Sequence, residues 1–70
     1  MIHLYNYILN KDDPREYTHE ALSGRRGPDI ANIVTQLYNE TVAAGNYDIE
    51  LDHEIIIDAM IERMQKIATV

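Results

Sequence analysis

Apolar residues recur at helical spacing in two stretches of the chain and alternate with polar ones in others. Between residues 28 and 44, Ile30, Ile33, Val34, Leu37 and Ala44 fall at i, i+3, i+4, i+7 and i+14, with Val42 near the edge of the stripe. Asn32, Gln36, Asn39 and Glu40 lie largely away from it. One apolar face and one polar face mark an amphipathic helix. Pro28 suits its first position and Asp29 sits favourably at its positive end. Gly45 is expected to stop it in the left-handed conformation.

A second helix is predicted over residues 53–68. Ile57, Met60, Ile61, Met64 and Ala68 form its stripe, Ile56 and Ile67 widen it, and Ile55 and Ala59 fall outside. Asp52 precedes it as a capping residue, Glu54 lies in its first turn, and Arg63 and Lys66 lie near its end. Those charges agree with the helix dipole. A shorter helix is predicted over residues 14–23, with Asp13 as N-cap, Pro14 in first position and Gly24 just past the end. Its apolar residues are Tyr17, Ala21 and Leu22, so it covers a core rather than forming one.

Two segments read as extended. Residues 46–52 alternate, with Tyr47, Ile49 and Leu51 on one side and Asp48, Glu50 and Asp52 on the other. Residues 1–9 fit either period. Alternation groups Ile2, Leu4 and Ile8, whereas a helix groups Ile2, Tyr5, Ile8 and Leu9. Tyr and Ile favour strand, and no cap precedes the run, so the balance tips to strand. The expected fold is mainly α: a three-helix small domain over residues 1–70. Residues 2–8 and 47–51 are its candidate short two-stranded β element, which is marginal unless the helices pack on it.

Size sharpens the problem. A chain of 70 residues buries only about 60% of its unfolded surface. It has no cysteine, so neither a disulfide nor a thiolate metal site adds stability. Ten isoleucines and five tyrosines supply most of the bulk, without Phe or Trp. The surplus matters most in the last helix. Ile55, Ile56, Ile57, Met60, Ile61, Met64 and Ile67 exceed what one neighbouring helix covers, and a surplus apolar face usually marks an interface. Self-association as a homo-oligomer is therefore expected through Ile56, Ile57, Met60, Ile61, Met64 and Ile67.

The net charge of −6 points away from nucleic acid and anionic membranes as partners. No run of 18 apolar residues suggests a membrane span, and no basic, then apolar leader opens the chain. A cytoplasmic location is the expectation.

Catalytic and metal signals are weak. His19-Glu20 and His53-Glu54 each lack a second histidine four residues on, where Ser23 and Ile57 stand. His3, His19 and His53 are dispersed, so no metal site and no cofactor are expected. A calcium loop starting at Asp48 fails, with His53 at its sixth place and Ala59 at its twelfth. No nucleophile motif is present, and Asp58 lies off the apolar stripe near Glu62. An enzyme is not expected.

Two binding readings remain. The first is a small acidic regulator, an adaptor or inhibitor that docks on a larger protein. Asp48, Glu50, Asp52, Glu54 and Asp58 occur within eleven residues without a Lys or Arg. They would face a basic site, in the sharper version by imitating nucleic-acid charge. The alternative is a phosphate- or nucleotide-binding module at the Gly24–Pro28 loop, where Arg25 and Arg26 precede a helix start.

Overall fold

The computed structural model describes residues 2–68, and these form four helices. They are α1 (Ile2–Leu9), α2 (Pro14–Leu22), α3 (Pro28–Gly45) and α4 (His53–Ala68). The three predicted helices are present at nearly their predicted bounds. The β element is not: no strand occurs among the described residues, and residues 2–8 are helical. The reason is packing. Alternation would place Tyr5 and Ile8 on opposite faces, whereas helical spacing places both inward. Both are buried, with Leu4 and Leu9 packed at the edge of the same cluster. Tertiary burial outweighs the weak local preference of Tyr and Ile for extended backbone.

With residues 2–8 helical, residues 47–51 have no strand to pair with, and they fold into a turn instead. The Asp48 carboxylate closes it by accepting from the backbone N–H groups of Glu50 (2.8 Å) and Leu51 (3.0 Å). Asp52 N–H donates to Asp48 O at 2.8 Å. An aspartate that satisfies its own downstream amides favours a turn over a sheet ladder.

Local chemistry sets the helix ends. The Asp13 side chain accepts from Glu16 N–H at 3.1 Å, with Pro14 in the first turn. At the far end of α2, Gly24 has φ +88°, Arg25 N–H donates to Glu20 O and Gly24 N–H to Ala21 O. This paired arrangement is a Schellman motif. The end of α3 differs from expectation by one residue. Asn46, not Gly45, adopts the left-handed conformation, with φ 52°. Gly45 is helical, and the Tyr47 ring lies across the place where its side chain would be: an added Cβ would stand 2.3 Å from a ring carbon.

Two effects oppose each other in Gly45→Ala. Better helix propensity would stabilise by about 1 kcal/mol at most. Displacing the half-buried Tyr47 ring costs about 1–3 kcal/mol. Net destabilisation is expected, and a urea melt of Gly45→Ala beside the double change Gly45→Ala/Tyr47→Ala checks it. The alanine at position 45 should cost less once the ring is gone.

Helix α4 is the centre of the fold, contacted by α1, α2 and α3. Ile56, Ile57, Met60 and Met64 are fully buried in a core completed by Tyr5, Ile8, Tyr17, Ala21, Val34 and Leu37. This corrects the assignment of the α4 stripe to self-association. Its four central side chains are the interior of one chain, because α1 supplies the cover that three helices lacked. Ile61 is half-buried against the same core, and only Ile67 of the six reaches the surface, at 36% exposure. Thr18 and Thr41 are buried within this apolar set. Their hydroxyls donate to the carbonyls of Pro14 (2.8 Å) and Leu37 (2.7 Å), which removes the cost of burying them.

Burial pushes the Tyr5 phenol above its ordinary range; Glu40 adds to this and Arg63 opposes it. A group whose folded pKa is raised contributes stability below its unfolded pKa and loses it as pH climbs through the folded value. Wild-type stability relative to Tyr5→Phe should therefore fall above about pH 10 and hold steady below it. Urea melts of both proteins between neutral and alkaline pH check the sign.

Candidate functional site

The five acids expected to face a partner occupy the α3–α4 turn and the first turns of α4, but most are engaged locally. Asp48 caps the turn as described. Asp52 was expected to cap α4 through its side chain. Instead its Oδ2 accepts from Asp48 N–H at 2.9 Å, and its backbone carbonyl receives Ile56 N–H at 2.8 Å. Glu54 and Asp58, one turn apart on α4, both pair with Arg15 of α2. Glu50 alone among the five has no side-chain partner among the described residues.

Desolvation raises the Glu54 carboxyl, but the neighbouring His19 and Arg15 outweigh it by charge and hydrogen bonding and hold it below the ordinary carboxylate range. Arg15 thus offsets two of the five acids. A free array of carboxylates imitating a phosphate backbone is not what the geometry presents.

What the turn does present is apolar. Leu51 is 84% exposed, Ile49 57% and Ile55 53%, all within one turn and the first turn of the helix that follows. Sequence alternation had Ile49 and Leu51 facing a core with Tyr47. Only Tyr47 packs against it. The misreading has a physical source. Asp48 turns the backbone at Ile49, so the period of 2 does not persist through the segment.

The arginine loop is occupied with itself. Arg26 pairs with Glu20 and lies over the Tyr17 ring, 4.9 Å from its centre. The Glu20 hydrogen bond holds the Arg26 guanidinium above its ordinary range. The N–H groups of Gly24, Arg25 and Gly27 all donate to carbonyls of the chain, and Pro28 has none to offer. A phosphate approaching Arg25 and Arg26 would meet one exposed guanidinium, one neutralised guanidinium and few free backbone donors. Nearby, Lys11 sits 4.3 Å from the centre of the Tyr7 ring, whose phenol is lowered by its hydrogen bond to Lys11.

Comparison with known protein families, curated proteins and solved structures finds no match.

A further cluster joins α2 to α4. His19 lies against Glu54, with Nε2–Oε2 at 3.3 Å, and its ring centre is 5.2 Å from that of His53. The Tyr38 hydroxyl of α3 is 3.3 Å from Nδ1 of His53. The sequence held a hint in its two His-Glu pairs. Helical register sought the second histidine four residues on, whereas the fold supplies it from another helix. The tertiary approach of α2 and α4 is not written in local spacing.

Proposed function

We propose that this chain is a small acidic binding protein that docks on a larger protein through the α3–α4 turn. The observation that carries the reading is Leu51, a large apolar side chain left almost wholly in solvent by a chain that buries Ile8, Val34, Ile56 and Ile57 completely. Ile49 and Ile55 are also exposed, in the same turn and in the first turn of α4, and Asp48, Glu50 and Asp52 are interspersed with them in the sequence. An apolar anchor amid charges of one sign is the layout of a binding centre with a polar surround.

The fitting partner is a protein with an apolar depression rimmed by Lys and Arg. A second copy fits poorly, because like acids would meet across the contact. The same charge disfavours nucleic acid and anionic lipid as occupants. No described helix is long and apolar enough to cross a membrane. An adaptor or inhibitor role follows from occupying such a site without altering it chemically.

The charge component is tested with the partner recovered from the native host. Its affinity should fall steadily as salt is raised, because the rim attraction is screened over about 10 Å at 0.1 M. An affinity independent of salt, or a recovered protein lacking a basic surface, would contradict the reading.

A further inference from the structure

We propose that His19, His53 and Glu54 form a binding site for a divalent transition-metal ion of the zinc class. The inference is independent of the docking surface. One ligand atom from each residue lies within 4.8 Å of the others, and no other such cluster of three occurs among the described residues. His19 comes from α2, while His53 and Glu54 are the first two residues of α4. Two imidazoles and one carboxylate are the ligand types zinc takes in sites that keep a fourth position for water.

Ligand atoms around tetrahedral zinc stand about 3.4 Å apart, so the three groups need to close by about 1 Å or a little more. His19 Nε2 and Glu54 Oε2 are already at 3.3 Å. His19 and Glu54 are partly solvent-exposed, which gives an ion a route in and the side chains room to adjust. Tyr38 completes the arrangement. Its hydroxyl lies 3.3 Å from Nδ1 of His53, and with Nδ1–H donating to that oxygen the Nε2 lone pair is the one offered to the ion.

Two features oppose a cation here. The positive end of α4 is one, a weak effect at an exposed helix end. The Arg15 guanidinium beside Glu54 is the other. Asp58 answers it, because Arg15 already pairs with both carboxylates and retains Asp58 when Glu54 turns to an ion. Calcium and magnesium are excluded as preferred occupants, since they seek six or more oxygens and this set offers a single carboxylate. A bound ion would tie α2 to the start of α4.

The test uses the full chain without a polyhistidine tag. Zinc chloride is titrated into it by calorimetry, and the imidazole resonances are followed by NMR. Expected are one ion per chain and selective shifts of His19 and His53 with His3 unmoved. Affinity should fall at least tenfold in His19→Gln and stay unchanged in His3→Gln. Absence of saturable binding, shifts shared equally by His3, or unaltered affinity in His19→Gln would overturn the site. Should a variant fail to fold, the wild-type resonances decide the matter alone.

Discussion

Ile57→Ala and Met60→Ala are each expected to destabilise the chain by about 2–5 kcal/mol, the range for deleting a large buried side chain and leaving a cavity. Both side chains are fully buried near the middle of α4, the helix that α1, α2 and α3 all contact. A domain of this length has a total stability of about 4–10 kcal/mol, so either change removes a large fraction of it. Each lost kcal/mol lowers the melting temperature by about 4–8 °C in so small a domain. Ile55→Ala, two residues from Ile57 but half in solvent, should stay within about 0.5 kcal/mol of wild type. Circular-dichroism melts of the three variants check the orientation of the helix. If the α4 stripe were held by a second copy instead, the melting temperature would rise with protein concentration, and it is expected not to.

Leu51→Ser carries the second large effect, and it falls on binding alone. Removing a side chain so exposed costs the isolated fold less than about 0.5 kcal/mol. Removing a central anchor from an interface costs about 2 kcal/mol or more, roughly thirtyfold in affinity. A rim charge behaves differently. Glu50→Gln should change the association rate and its salt dependence more than the dissociation rate. Surface plasmon resonance on wild type and both variants, with unfolding curves alongside, separates the three behaviours. Equal affinity of Leu51→Ser and wild type would remove Leu51 as an anchor.

Much of the fold is legible in the sequence because its signals are local. Asp13-Pro14 and Gly24 delimit α2, and the Ile30–Leu37 stripe with Pro28 delimits α3, through capping and backbone rules that act within a few residues. The identity of residues 2–8 was not legible. Tyr5 and Ile8 become neighbours on one face only when α4 is there to receive them, and that is a long-range fact. The same gap produced the error over Ile56, Ile57, Met60 and Met64. A surplus counted against three helices disappears when the fourth is supplied.

The candidate sites show the same division. The acids could be counted, but their engagement by Arg15, thirty-nine residues from Glu54, could not. Arg26 could be seen in a loop, but not its pairing with Glu20 or its place over Tyr17. Leu51 was visible as an apolar residue in an alternating run. That it faces solvent depends on Asp48 closing a turn with its own side chain.

The claim that the α3–α4 turn is the docking surface is tested most directly by photo-crosslinking along the chain. A photoreactive residue is placed in turn at Ile49, Leu51, Ile55, Arg25 and Gln36, and the protein is irradiated in extract of its native host. The account predicts adducts to one and the same basic protein from positions 49, 51 and 55, weakened by added salt, and none from 25 or 36. Adducts concentrated at 25 or 36, or joining two copies of this chain through position 51, would contradict it.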